Sequence, residues 1–170
     1  MLLENTTKKK NENNREFIYR VIKENIMTLN LKPGECISEV ELGNQLNVSR
    51  TPVREAIVRL SEEKLIDVFP QKGSFVSKID LNLVDEAVFL RALCEKEILK
   101  LACSDKNSKE LIRELEKNLA YQKIIIDFEE DLHKFFDLDN EFHALIFYYY
   151  NKKNVWKSVK RLATHYDRLR

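Results

Sequence analysis

Two arginines four residues apart, Arg50 and Arg54, sit in the run Val48-Ser49-Arg50-Thr51-Pro52-Val53-Arg54-Glu55-Ala56-Ile57-Val58-Arg59-Leu60. The spacing predicts a helix. Val53, Ile57 and Leu60 recur on one face, Pro52 suits a first turn where a missing N–H costs nothing, and Ser49 or Thr51 can cap the start. Arg50, Thr51 and Arg54 then project from the N-terminal turn, and Arg59 lies further along the exposed side. Cations at that end oppose the helix dipole, so the placement costs stability unless an anion offsets it. Phosphate, or the acceptor edge of guanine, would do so, which makes this a helix fitted to a DNA groove.

A second constellation is Asp139 and His143, four residues apart and therefore about one turn apart on one helical face. A carboxylate and an imidazole at that spacing can chelate one cation such as zinc, nickel or manganese, or can form an intrahelical contact lining a core. A stable site needs further donors. His133 lies ten residues before His143, nearly three turns away at roughly 15 Å, whereas His165 comes from another predicted helix and is a candidate ligand. No HExxH pattern, nucleophile elbow or phosphate-binding glycine loop accompanies the pair, which weighs against a metal-dependent enzyme using Asp139 and His143.

Composition and periodicity describe the elements that must position these residues. The chain has 170 residues, a formal charge of +1, three glycines and three prolines. Long Glu/Lys/Leu/Ile-rich runs complete the picture of a mainly α protein able to bury a core. With charge near balance, no global field draws the molecule to nucleic acid, and DNA affinity must come from a local basic surface. Cys36, Cys94 and Cys103 have no CxxC spacing, and no segment reads as a secretory signal or membrane span. A cytoplasmic setting without a membrane partner is the expectation.

Residues 1–12, with Lys8-Lys9-Lys10 and no apolar periodicity, are expected to be a disordered arm. Phe17, Ile18, Val21, Ile22, Ile26 and Leu29 predict a first helix from about Arg15 to Leu29, and Pro33-Gly34 breaks it from the next. Ser38-Glu39-Val40-Glu41 reads as a capping box opening a short helix to about Leu46, and Asn47-Val48 turns into the arginine-bearing helix. Behind it, Leu65–Phe69 and Ser74–Ser77 form two β runs across Pro70-Gln71-Lys72-Gly73, a hairpin whose tip offers a cation and a close-approaching backbone. Three helices and a β-hairpin wing make a winged helix-turn-helix over residues 13–78. Residues 79–84 read as a linker with Asp80 as a helix cap, and residues 85–170 as an all-α bundle. Its helices run to about Ala102, from Ser108 to Asp127, from Asp131 to Tyr150 and from Val155 to Leu169. Leu162, Tyr166 and Leu169 remain in helical phase up to Arg170, so the bundle reads as shortened, with apolar surface left uncovered.

The run Leu31-Lys32-Pro33-Gly34-Glu35-Cys36-Ile37-Ser38-Glu39-Val40-Glu41-Leu42, the run Val48 to Ala56, and Gly73-Ser74-Phe75-Val76 together resemble the DNA-binding domain of GntR-type bacterial transcription regulators. The resemblance implies that Arg50 and Arg54 meet base edges, that Ser49, Thr51 and Arg59 meet nearby backbone, and that Lys72-Gly73 contacts DNA from the wing. Val40 stands where some members carry a further arginine. Arg91-Ala92-Leu93-Cys94-Glu95 and Asp139-Asn140-Glu141-Phe142-His143 resemble two signatures of the FCD effector domain of the FadR-like branch. Members with the Asp-x-x-Phe-His pattern hold a divalent metal through that aspartate and histidine and further histidines, and the metal helps bind a small carboxylate effector. By that resemblance Asp139 and His143, with Arg91 and His165, are the candidate effector and metal residues. The expected function is a homodimeric transcription regulator, a repressor or an activator, whose affinity for a double-stranded operator is set by the effector. A winged-helix protein-interaction module is the other alternative to the enzyme, and the intact arginine pair weighs against it.

Overall fold

The computed structural model describes residues 3–105, 107–128 and 132–170. The chain divides into two compact units, one running to Glu86 and also taking in Arg161–Arg170, the other Ala87–Lys160.

The first unit begins with α1 (Asn14–Met27), whose start is fixed by a capping box: the Asn13 side chain accepts the Glu16 N–H, and the Glu16 carboxylate accepts the Asn13 N–H. The described segment before it forms no helix or strand, and side-chain bonds tie it to α1. Glu4 exchanges two hydrogen bonds with the Asn25 side chain at 2.8 and 3.0 Å. Arg20 takes the Glu12 carboxylate through Nε at 2.7 Å and Nη2 at 3.0 Å. The Arg20 guanidinium holds the Glu12 carboxyl down at about 2. Such polar anchors carry no hydrophobic period, so a pattern of apolar residues does not reveal them.

Next come β1 (Cys36–Ile37), α2 (Glu39–Leu46), α3 (Arg50–Glu62), β2 (Ile66–Phe69) and β3 (Gly73–Val76). Phe17, Ile18, Val21, Ile22 and Ile26 of α1 share one core with Leu42 and Leu46 of α2 and with Val53, Ala56, Ile57 and Leu60 of α3. The Ser38 hydroxyl caps α2 by accepting the Glu41 N–H at 3.3 Å. Between α2 and α3, Asn47 adopts a left-handed conformation at φ 51°. Gly43 permits the tight turn, because a Cβ there would come within 3.0 Å of the Val48 carbonyl oxygen. Ser49 occupies the N-cap position of α3, but its side chain makes no capping bond, contrary to expectation. The sheet has the order β1-β3-β2, all antiparallel, with Cys36 opposite Phe75 and Ile66 opposite Val76. The hairpin is therefore a three-stranded wing. At its tip Gly73 has φ 108°, which glycine alone adopts cheaply.

Helix α4 (Leu81–Ser104) begins at once, with the Asp80 carboxylate accepting the Asn82 N–H at 2.9 Å. The helix therefore starts within residues 79–84, with Asp80 just before its first turn.

The second unit holds the rest of α4, α5 (Lys109–Asp127), α6 (Leu132–Tyr149) and most of α7 (Lys153–Leu162). The predicted helix start at Asp131 lies outside the described residues. Ile98, Leu111, Ala144, Ile146, Phe147, Trp156 and Val159 form its core. Phe89, Leu93, Ile112, Leu119, Ile126 and Phe128 are exposed. The last predicted helix is in fact two, α7 and α8 (Thr164–Leu169), separated at Ala163. Thr164, His165 and Arg168 of α8 are buried in the first unit, and those tertiary bonds override a continuous helix. Among the described residues no helix is long and apolar enough to cross a membrane.

Candidate nucleic-acid interface and effector site

Ser49, Arg50, Thr51 and Arg54 come together, all exposed, at the N-terminal end of α3. Because Ser49 makes no cap, the N–H groups of that first turn are not taken by its side chain, and they remain available to an anion such as phosphate. Arg54 is held in one orientation. Its Nε and Nη2 donate to Oε1 and Oε2 of Glu39 at 3.0 and 2.9 Å, a fork-on-carboxylate pair reaching across the turn from the start of α2. The hydrogen-bonded Arg54 guanidinium keeps the Glu39 carboxyl below its usual range, with the charge of Arg50 adding to the effect. The Arg54 side chain nevertheless stays 69 % exposed, so its outer edge faces solvent. Glu39 is a functional candidate that sequence reasoning missed. It was visible only as an acid in a first helical turn, fifteen residues from its partner.

Arg59 lies further along α3, with its guanidinium 3.7 Å from the Tyr19 ring centroid and 3.9 Å from the Glu63 carboxylate. Glu63 also accepts hydrogen bonds from Tyr19 and Lys23. Burial raises the Glu63 carboxyl, but these bonds outweigh it and the net shift is downward. Lys72 and Gly73 are exposed at the wing tip, where the Lys72 N–H closes the turn on the Phe69 carbonyl at 3.1 Å.

In the second unit, α6 presents Asp139 and His143 toward Arg91 and Glu95 of α4. His143 Nδ1 lies 2.9 Å from Glu95 Oε1, and Arg91 Nε donates to the same oxygen at 2.7 Å. In the neutral tautomer whose Nδ1–H donates to Glu95, the Nε2 lone pair of His143 lies 3.7 Å from Asp139 Oδ1, too far for a hydrogen bond. This is how carboxylates orient metal-binding imidazoles. Burial pulls the Glu95 carboxyl up, but the bonds from His143 and Arg91 outweigh it and leave it below the usual range. Trp156 supports the cluster: its ring lies 12° from parallel with His143 at 6.3 Å, and the Arg91 guanidinium stands 6.0 Å from it. Glu95 and Trp156 are further participants that spacing alone did not single out.

Two donors of kinds that divalent cations take thus lie 3.7 Å apart. Among the described residues no group of three His, Cys, Asp or Glu could hold a metal. His165, the further candidate ligand of the sequence, has both ring nitrogens hydrogen-bonded to backbone groups. It belongs to the first unit, where Nδ1 accepts the Asp80 N–H at 3.0 Å and Nε2 donates to the Lys64 carbonyl at 2.8 Å.

Residues 14–76 match the model of the bacterial regulatory proteins, gntR family, and residues 86–170 match the FCD domain. An HTH-type transcriptional regulator in an unstable DNA locus of Streptomyces ambofaciens is 40 % identical over 161 residues, or 92 % of this chain and 65 % of that protein. The HTH-type transcriptional repressor RspR of Escherichia coli K12 is 36 % identical over 153 residues, covering 90 % of this chain and 66 % of its own. The chain thus spans 65 to 66 % of the length of these curated relatives. Among solved structures, a GntR transcriptional regulator from Rhodococcus sp. RHA1 shares the fold with a TM-score of 0.71 at 20 % identity, over 91 % of this chain and 72 % of that one. E. coli McbR/YncC shares it with a TM-score of 0.68 at 22 % identity, over 89 % and 70 %. Two matched domains in this order, over a winged helix and a helical bundle, establish that the chain belongs to the gntR family of bacterial transcriptional regulators, in the FadR-like branch with an FCD domain.

Proposed function

We propose that the chain binds a pseudo-palindromic operator as a homodimer in the cytoplasm, acting as a repressor whose DNA affinity is set by a small carboxylate effector. The observation that carries this reading is the exposed Arg54 fork, held by Glu39 at the N-terminal end of α3 and flanked by Arg50. With α3 in the major groove, Arg50 and Arg54 donate to guanine O6 and N7. Ser49, Thr51 and the first-turn N–H groups meet phosphate, and Arg59 and the Lys72-Gly73 tip meet backbone further out. A two-fold pair of such units reads half-sites about one helical turn apart or a multiple of it. The exposed apolar side chains of the helical unit support the homodimer. Effector and operator affinities are then reciprocally coupled.

Selection of duplexes from a random library by the purified chain tests this. An inverted repeat with half-site centres about 10 base pairs apart, or a multiple, is the expected product. Binding indifferent to sequence would overturn the reading.

Within the helical unit, Asp139 Oδ1 and His143 Nε2 are the donors for a divalent cation, zinc, nickel or manganese, with Arg91 beside them for an effector carboxylate. Such a cation supplies positive charge for that carboxylate. Glu95 fixes the His143 tautomer so that Nε2 faces the site. Elemental analysis of the purified chain beside His143→Ala is expected to show metal in the first and a loss of at least tenfold occupancy in the second. Equal content in both removes His143 from the site.

A further inference from the structure

Helix α8 is only six residues long, yet three of its side chains, Thr164, His165 and Arg168, are buried. Their bonds fall at the base of the wing. Thr164 Oγ1 donates to the Glu63 carbonyl at 3.4 Å, and His165 Nε2 donates to the Lys64 carbonyl at 2.8 Å. His165 Nδ1 accepts the Asp80 N–H at 3.0 Å, and Arg168 Nη2 donates to the Ser77 carbonyl at 2.7 Å. Lys64 and Ser77 flank the hairpin, just before β2 and just after β3, and Asp80 opens α4. Lys64 is left-handed at φ 60°, past the end of α3, so its carbonyl cannot join the helical ladder. His165 accepts that role from a point 101 residues away in sequence.

Arg168 is the unexpected member. It is 3 % exposed, its Nη2 donates to a neutral carbonyl, and its Nε and Nη1 are buried without a hydrogen-bond partner among the described residues. Burial pushes its guanidinium below the ordinary range, against the opposing charge of Asp67. A buried cation so poorly compensated is unfavourable, and an apolar side chain of similar volume would pack α8 at lower cost. Stability alone does not account for it. Geometry does: the long guanidinium reaches the Ser77 carbonyl while His165 reaches Lys64 and Asp80, so one helical turn fastens both legs of the hairpin and the start of α4.

We propose that His165 and Arg168 are positioning residues for the wing, clamping Lys64, Ser77 and Asp80 so that the hairpin carries Lys72-Gly73 to DNA at a fixed angle. This rests on the DNA-binding reading above. The imidazole works through one donor and one acceptor. Glutamine offers both, and leucine offers neither.

A double-mutant cycle on the full chain tests the clamp, using as probe the duplex that the wild-type chain enriches from a random library. In the wild-type background, Lys72→Ala is expected to weaken binding about fivefold and to lower the salt slope by about one, as the loss of one phosphate contact does. In the His165→Leu/Arg168→Met background, Lys72→Ala should change affinity by less than about 1.5-fold, because the tip is no longer presented. His165→Gln should restore the full Lys72 effect, which a general loss of stability would not. If the double variant fails to fold, the single variants His165→Leu and His165→Gln make the same comparison. An equal Lys72→Ala loss in both backgrounds overturns the clamp, and so does no loss in the wild-type chain. Arg54→Ala separates the two readings: if it has no effect even in the wild-type chain, the DNA-binding reading itself fails.

Discussion

Arg54→Ala is expected to weaken binding to the selected duplex by about 5- to 150-fold while leaving the fold intact, the range for losing one good bidentate base contact. Three features of the site set this expectation. Both Glu39 oxygens hold the guanidinium, so little rotamer freedom remains to be lost when it meets a base. Its side chain is 69 % exposed, so donors not used by Glu39 can reach a guanine edge. And truncation leaves the Glu39 carboxylate without its counter-charge next to the phosphates, which adds repulsion to the lost contact. An exposed pair of this kind contributes little to folding, so the melting temperature should barely move. On random DNA the same variant should lose only the salt-dependent share of one charge. Fluorescence anisotropy of both duplexes at one fixed salt concentration measures the two losses. Equal losses on both would mean that Arg54 touches phosphate and reads no base, and Arg50 would then have to carry specificity alone.

The winged helix was legible because its signals are local. Val53, Ile57 and Leu60 mark the buried face of α3, Ser38 marks the start of α2, and two β runs flank Pro70 to Gly73. What stayed hidden depends on partners distant in sequence. Strand β1 is two residues long and exists only through its pairing with β3, so no period announces it. The Glu39–Arg54 pair joins two helices across a turn, and Glu39 alone reads as an ordinary first-turn acid. At Ala163 the apolar phase of Val159, Leu162, Tyr166 and Leu169 carries through the break, because interrupting a helix for one residue barely shifts the pattern. His165 shows the limit most clearly. A histidine on a late helix of a bundle invites reading as a metal ligand, whereas both its nitrogens are used by backbone groups of Lys64 and Asp80. In the Asp139–His143 cluster the spacing exposed two donors, but the carboxylate that orients the imidazole and the ring beneath it came from α4 and α7.

That ring underlies the largest stability effect expected of any single change here. Trp156 is 5 % exposed, its ring lies 5.3 Å from Phe147, and Val159 follows it one turn later in the same core. Trp156→Ala removes an apolar contact between α7 and α6 and leaves a cavity that the remaining side chains fill only in part. The expected cost is about 3–5 kcal/mol. Trp156→Phe retains most of the burial and should cost well under half of that. The change also reaches the charged cluster, because Trp156 stacks on His143 and lies beneath Arg91. With the ring gone, water reaches both, and the Glu95 bonds that order them compete with solvent. Urea unfolding followed by circular dichroism gives the energy, and hydrogen exchange localises it: protection should fall first in α6 and α7. A loss below about 1 kcal/mol would mean that Phe147 and Val159 hold α7 without the indole, and the orientation of His143 would then rest on Glu95 alone.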